Sequence, residues 1–322
     1  MNVYIKVTER CNLCCEHCYN PPVAQEISYP KVKNFLTLLK NTIRPSFFIL
    51  HGGEPLMGDL KQIQDLLNNF PEESWRISTN LCYELTPERL KILKRMKQIR
   101  ISFDIGIRFH TIKNLMKWYH NVKTIKQVCP DALFLNICLT KDLLCHDPDQ
   151  LLHVMQQLQI KQLGLERITL KGNAVKHQDI IPSYSEVDVW LCKLYHALKQ
   201  YPEIKCIDID GIRLGILKEF QHCYGKECCC KTITINADGS IGNCPNDARE
   251  HMIGSLDSNV RDILAAIWTK KHPIKNQCLM CSYWEQCRGF CNQMDWQGKE
   301  CPYPKLLAKE IYENEFGSEL SV

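Results

Sequence analysis

Four cysteines stand within eight residues near the start of the chain: Cys11, Cys14, Cys15 and Cys18 in CNLCCEHC. The spacing Cys11-x3-Cys15-x2-Cys18 lets one compact loop aim three thiolates at three irons of a 4Fe-4S cube, and the loop offers the fourth iron no ligand. Cys14 fits only the reversed spacing, and the aromatic Tyr19 directly after Cys18 favours the first triad. A zinc site is the alternative, with His17 as a further ligand. Ligands packed this tightly suit several irons better than one ion's tetrahedron.

Two more clusters follow, Cys223 to Cys244 and Cys278 to Cys301, among twenty cysteines in all. A secreted disulfide scaffold is a short chain with an export signal, whereas this one has 322 residues and begins MNVYIKVTER, which meets charge at once. Clustered thiols in a reducing compartment point to metal. Cys82, Cys129, Cys138, Cys145, Cys192 and Cys206 are scattered singly among apolar residues and are expected to pack as small hydrophobes.

Composition excludes several classes. With 45% hydrophobic and 24% charged residues the chain reads as a globular protein. A net charge of +4 with no dominant basic run gives no reason to expect nucleic acid. No apolar run approaches the ~18 residues of a membrane span. A cytoplasmic protein without a membrane partner is the expectation.

The elements that must position these thiols alternate. Strand candidates begin at Val3, Ser46, Trp75, Ile99, Leu133 and Glu166, each rich in branched or aromatic residues. Helical patterns lie between and after them, over 32–40, 60–70, 87–96, 112–129, 148–158 and 184–201, with Thr86-Pro87 and Ser185 as start signals. Six βα units imply an α/β fold with a parallel sheet, either doubly wound or a partial barrel. Ligands then gather at the carboxyl ends of the strands. The cysteine loop follows the first strand, His51-Gly52-Gly53-Glu54-Pro55 the second, Thr79-Asn80 the third and Asp104 the fourth.

A CxxxCxxC loop followed by an aromatic, with Gly-Gly-Glu-Pro one strand later, resembles the radical SAM superfamily. The resemblance covers about residues 1–206 and implies a partial (β/α)6 TIM-like barrel whose open iron chelates S-adenosylmethionine. One electron then cleaves the sulfonium to methionine and a 5'-deoxyadenosyl radical. It further implies that Gly52, Gly53 and Glu54 bind the cofactor's amino group, for which a carboxylate and bare backbone carbonyls are chemically suited. Thr79, Asn80, Ser102 and Asp104 occupy strand ends where the family contacts cofactor or substrate, and Asn136 and Arg167 are similar candidates.

Downstream, Cys278-x2-Cys281-x5-Cys287-x3-Cys291 precedes Cys301, and Cys229-x9-Gly239-x4-Cys244 contains an expected hairpin turning at Asp238-Gly239. These spacings resemble the SPASM extension, which holds two auxiliary 4Fe-4S clusters. By that resemblance Cys223, Cys229, Cys244 and Cys291 hold one cluster and Cys278, Cys281, Cys287 and Cys301 the other, three clusters in all with the first. Cys228 and Cys230 leave the register at Cys229 ambiguous. The expected domains are a radical SAM barrel over 1–210 and a small cysteine-rich SPASM domain over 211–322, joined at a soft boundary near 207–220.

The implied function is a radical SAM peptide maturase. It abstracts a hydrogen atom from a residue of a ribosomally made peptide, with cross-linking or oxidation assisted by the auxiliary clusters. Its reductant would be of flavodoxin or ferredoxin type. The cysteine motif lies close to the start of the chain, so leader recognition is expected to need a separate protein or another surface. Alternatives are an anaerobic sulfatase-maturing (formylglycine-forming) enzyme, an enzyme acting on a small cofactor precursor, and a non-catalytic iron-sulfur or zinc adaptor. No catalytic side chain, substrate or oligomeric state is legible.

Overall fold

The computed structural model describes residues 1–20, 25–104, 106–217, 228–247, 249–269, 274–291, 293–294 and 300–317. They pack as two units. The first comprises Met1–Leu135, Lys171–Lys176 and Cys229–Lys270; the second comprises Asn136–Leu170, His177–Cys228 and Lys271–Val322. The packing thus groups the chain differently from a cut at residue 210.

In the first unit β1 (Asn2–Thr8), β2 (Phe47–Gly52), β3 (Trp75–Thr79) and β4 (Gln98–Ser102) pair in that order, all parallel. Helices Tyr29–Thr42, Leu60–Asn69 and Pro87–Leu93 connect them, and Ile112–Val128 follows β4. The strands have one apolar and one polar face. In β3, Trp75, Ile77 and Thr79 are buried while Arg76 and Ser78 are partly exposed, and β4 alternates in the same way. Side chains two apart share a face, so a period of two with one fully buried side is what a sheet covered by helices requires. The apolar face (Val3, Ile5, Val7, Leu50, Ile77, Ile99) and the helical stripe Val32, Phe35, Leu36 and Leu39 form the core.

β5 (Leu133–Leu139) begins in this unit and ends in the second, which also contains β6 (Gln162–Arg167) and β7 (Lys205–Cys206), paired in parallel. The α/β class with a parallel sheet and intervening helices therefore stands. The expected hairpin is present as β8 (Thr232–Ile235) and β9 (Ser240–Gly242), antiparallel, with Gly239 at φ +86° at the turn. β8 pairs in parallel with β1, and β10 (Gly254–Ser255) closes the edge against β9.

Three local expectations are corrected. The sixth strand starts at Gln162 rather than Glu166, because Leu163 and Leu165 supply the buried positions and Asp208 accepts a hydrogen bond from the Leu165 amide at 2.6 Å. The alternation of isoleucine and aspartate in CIDIDG (206–211) reads as a strand or bridge, but the stretch is a helix over Ile207–Ile216, whose Ile212 and Ile216 pack beside Phe290 and Tyr303. The helix Tyr184–Ala197 is capped by Ser183 in a reciprocal box with Glu186, not by Ser185. The apolar spacing over 302–316 also reads as a helix, which the structure has over Lys305–Phe316, and Asp188 accepts from its Leu306 and Leu307 amides.

Candidate active site

Thr8 ends β1, and the cysteine loop runs from there over the ends of β2 and β3. Gly53 N–H donates to Thr8 O at 2.9 Å and Glu54 N–H to Arg10 O at 2.8 Å. This approach demands glycine. A Cβ at Gly52, where φ is +137°, would stand 2.0 Å from Thr8 O; one at Gly53 would stand 2.4 Å from Arg10 O and 2.6 Å from Glu9 O.

Glu54 is fully buried, and its carboxylate turns toward β3. Oε1 accepts from the Thr79 hydroxyl at 2.8 Å and from Leu56 N–H at 3.3 Å, while Oε2 accepts from Asn80 N–H at 2.7 Å. Burial pushes its pKa up to about 7, against the pull of those three donors. Thr79 also shares a hydrogen bond with the Tyr83 hydroxyl at 2.8 Å.

Asn80 binds the loop itself. Its Nδ2 donates to Asn12 Oδ1 at 2.9 Å and lies 3.7 Å from Cys11 Sγ, while its Oδ1 accepts from Cys82 N–H at 2.8 Å. Asn12 Nδ2 returns to Cys82 O at 3.0 Å. Cys15 is buried, Cys11 and Cys18 are half-buried, and Cys14 is exposed. The loop turns through Cys18 N–H to Cys15 O at 3.2 Å. Burial raises all three motif thiols, Cys15 to about 11, and the Arg108 cation opposes the rise at each. Buried thiols of this kind become thiolates when a cation compensates them, which iron would do.

Arg108, Gly172 and Asn173 were not singled out in the sequence. Arg108 donates from Nε to Asp104 at 2.5 Å and from Nη2 to His17 Nε2 at 3.1 Å. Because a guanidinium can only donate, His17 accepts through Nε2 and is neutral. Burial holds its pKa down to about 4, so its 3.5 Å approach to Asp104 is not an ion pair. Asp104, at 1% exposure, thus anchors a cation beside the cysteine loop. On the other flank Asn173 N–H donates to Cys18 O at 2.9 Å and its Nδ2 to Cys15 O at 3.2 Å. Gly172 (φ +57°) lies where a Cβ would be 2.6 Å from both Cys18 O and Tyr19 O. The Lys171-Gly172-Asn173 run after a strand was the available sign of a tight turn. The Tyr19 ring stacks on His51 at 6.4 Å, with Lys6 Nζ 5.4 Å from the Tyr19 centroid. Ser102, at the end of β4, is half-buried.

The second unit has its own thiol site. Cys278, Cys281, Cys287 and Cys301 line one cavity of about 180 Å³ with Tyr283 and Phe290. Cys291 packs against the same apolar cluster as Phe290 and Tyr303 but does not line that cavity. Burial pushes Cys287 up to about 12, and the neighbouring thiols Cys301, Cys278 and Cys281 add to it. Cys229 and Cys244 belong to the first unit, and Cys223 lies outside the described residues. Cys228, Cys229 and Cys230 share one 3-10 turn. Asn136 and Arg167 belong to the second unit, where Arg167 lies 5.2 Å over the Phe290 ring and 5.5 Å over Tyr184.

The thiol geometry bears on which metal fits. Three thiolates on one tetrahedral zinc, at ~2.3 Å each, stand about 3.8 Å apart. Among the described residues no three cysteine sulfurs come within 4.8 Å of one another. A cube holds its thiolates on separate irons, farther apart than one zinc would.

Residues 5–135 match the Radical SAM superfamily. They form a radical SAM domain. An uncharacterized protein of Methanocaldococcus jannaschii, MJ0907, is 29% identical over 128 residues, 38% of this chain and 43% of that relative, so the alignment spans less than half its length. Among solved structures, native anSMEcpe with bound AdoMet and Cp18Cys peptide is similar over 97% of this chain and 95% of its own, with a TM-score of 0.78 at 16% identity. Streptococcus suis SuiB bound to its precursor peptide SuiA is similar over 94% and 74%, with a TM-score of 0.64 at 14% identity. The fold common to these proteins thus runs beyond the radical SAM domain into the cysteine-rich second half. No helix among the described residues is long and apolar enough to cross a membrane.

Proposed function

We propose that the protein is a radical SAM/SPASM peptide-modifying enzyme. The observation that carries this reading is the joining of the CxxxCxxC loop to the ends of β2 and β3 through Gly53, Glu54 and Asn80. Cys11, Cys15 and Cys18 would hold the first 4Fe-4S cluster, and Cys278, Cys281, Cys287 and Cys301 one auxiliary cluster. Cys223, Cys229, Cys244 and Cys291 are assigned to the other. When bound, the first cluster and S-adenosylmethionine supply a 5'-deoxyadenosyl radical that takes a hydrogen atom from the substrate, and the auxiliary clusters supply one-electron transfer.

The chain's own residues then have definite tasks. Glu54 fastens β2 to β3, and Asn80 and Asn173 brace the two halves of the cysteine loop. Arg108, held by Asp104, lends positive charge to thiolates that burial disfavours. Gly52, Gly53, Ser102 and Asp104 stand at the strand ends, where we place the cofactor. Glu54 accepts from three internal donors, and we assign the remaining acceptor capacity of its two oxygens to the cofactor's amino group. The radical chemistry belongs to residues 1–210 and the auxiliary clusters to 211–322, a division of labour rather than of packing.

A peptide substrate is supported by the peptides held in the two structural relatives. A cytoplasmic location, a flavodoxin- or ferredoxin-type reductant and a separate leader-binding protein complete the proposal. The test is anaerobic co-expression with each short reading frame adjacent to the gene, followed by intact mass and fragmentation. Loss of a pair of hydrogen atoms at a defined residue supports the reading. Unchanged peptides throughout, beside a small molecule that is consumed, would replace it with the cofactor-precursor alternative.

A further inference from the structure

The polar face of the first unit's sheet is cationic. Pairing sets Tyr4 beside Ile49, Ile49 beside Arg76 and Arg76 beside Gln98, and in the next row Lys6 beside His51 and Ser78 beside Arg100. Partners in register share a face. The two guanidiniums converge on one neutral atom, with Arg76 Nη1 donating to Gln98 Oε1 at 3.4 Å and Arg100 Nε donating to it at 3.0 Å. Each is steadied by an aromatic ring, Arg76 at 3.7 Å over Phe47 and Arg100 at 4.9 Å over Phe134. Packing of this kind fixes an arginine's plane without neutralising it.

What the two guanidiniums lack is an anion. Among the described residues neither Arg76, Arg100 nor Lys6 forms an ion pair, although Lys6 is only 1% exposed. Lys6 is reached by the fields of Cys244, Cys18 and Asp247, the last already paired with Lys171 and His251, whereas among the described residues neither arginine has such a partner. Two further polar atoms here, Arg76 Nε and His51 Nδ1, are buried without a partner. His51 is neutral, its pKa held down to about 3 by burial and by the Lys6 and Arg100 charges. Buried donors are ordinarily satisfied, and like charges converging on one neutral oxygen repel.

We infer that Arg76 and Arg100 form a clamp for a carboxylate of the substrate, an acidic side chain or a free C-terminus. A planar carboxylate matches two guanidinium forks and supplies the missing charge. The clamp is an anchor and not the reacting centre. Arg100 lies two residues inward of Ser102 and Arg76 three inward of Thr79, so the carboxylate would sit about 7–10 Å in from the strand ends at ~3.3 Å per residue. An acidic group held there would select the peptide and fix which neighbouring residue meets the strand ends. This inference rests on the peptide-modifying reading above.

The test uses the reconstituted holoenzyme, anaerobically, with three pentapeptide probes titrated by calorimetry. They are acetyl-Gly-Ala-Glu-Ala-Gly-amide, its Gln counterpart, and the Gln peptide with a free C-terminal carboxylate. At least one carboxylate peptide should bind about tenfold or more tightly than the neutral one, and which one does so identifies the source of the anion. The preference should vanish in Arg76→Gln and Arg100→Gln, survive in part in Arg100→Lys, and leave the affinity for S-adenosylmethionine unchanged. Iron content and circular dichroism establish that each variant is folded. Equal binding of the three probes, or binding of none, overturns the clamp. Weaker S-adenosylmethionine binding by the folded variants also overturns it, assigning the arginines to the cofactor's own carboxylate. A carboxylate preference in a protein that makes no 5'-deoxyadenosine would instead retain the clamp and reject the enzymatic reading.

Discussion

Replacing Glu54 by Gln separates two opposing contributions that meet at this carboxylate. The first favours the native residue. Asn80 N–H stands 2.7 Å from Oε2, and an amide nitrogen placed there would leave two donors facing each other in a fully buried site. An unsatisfied buried donor costs about 1–3 kcal/mol. Orienting the Gln carbonyl toward Asn80 instead transfers the conflict to Thr79 and Leu56. The second contribution favours Gln. The folded pKa of about 7 exceeds the ordinary glutamate value of 4.5. At ~1.36 kcal/mol per pKa unit, ionising Glu54 in the folded protein removes about 3 kcal/mol of stability. Because the folded pKa is raised, that stability is fully present below about pH 4.5 and is lost as pH rises through about 7. Glu54→Gln has no such titration. The variant should therefore be most destabilised relative to wild type near pH 5, and the deficit should shrink by about 3 kcal/mol by pH 8. Anaerobic urea unfolding of both proteins from pH 5 to 8 reads this directly, since titrations elsewhere cancel in the difference. A deficit independent of pH, or one that grows with pH, refutes the assignment of Glu54 as a carboxyl group ionised against burial.

Other substitutions test the surroundings. Gly53→Ala sets a methyl group 2.4 Å from Arg10 O and breaks the alignment of two backbone hydrogen bonds. The cost should be about 3 kcal/mol and the fall in Tm, by calorimetry, about 6–12 °C. 5'-Deoxyadenosine formation should be lost, and a variant of native stability and activity would refute the close approach. Arg108→Met removes the guanidinium 2.5 Å from the buried Asp104 carboxylate and should cost about 3 kcal/mol. Adding Asp104→Asn should recover more than half of that in urea denaturation, because the buried charge disappears with its partner; a double variant weaker than the single one would contradict this. Asn173→Ala should leave the fold intact but lower the iron retained by the first cluster, measured against the second-unit clusters by electron paramagnetic resonance, and unchanged retention would exclude a bracing role.

The parts of this site legible in the sequence were those with a fixed local spacing. The thiols at Cys11, Cys15 and Cys18 and the Gly52-Gly53-Glu54 run are contiguous, and the strands that deliver them announce themselves by alternation. Gly52 and Gly53 were noticed as a motif, but what requires glycine is the Thr8 and Arg10 backbone opposite, set by the pairing of β1 with β2. Arg108, Gly172 and Asn173 were missed because their roles depend on tertiary contacts with a loop far away in the chain. The same limit applies to the clamp residues. Arg76 and Arg100 lie on different strands 24 residues apart, and only the register brings them to one Gln98 oxygen. Ile207–Ile216 was misread because a short Ile-Asp alternation satisfies a strand template, whereas burial of Ile209 and the packing of Ile212 and Ile216 follow helical spacing.

The central claim is that the Cys11, Cys15 and Cys18 loop holds a cluster that cleaves S-adenosylmethionine. The direct measurement is 5'-deoxyadenosine produced after anaerobic reconstitution with iron and sulfide and reduction with dithionite, in wild type and in Cys15→Ala with its auxiliary clusters loaded. Wild type should yield the nucleoside and Cys15→Ala none, while the variant's remaining iron stays close to two-thirds of the full complement implied by three clusters. Equal nucleoside from both proteins, or zinc bound in place of iron and no S-adenosylmethionine binding by wild type, would contradict it.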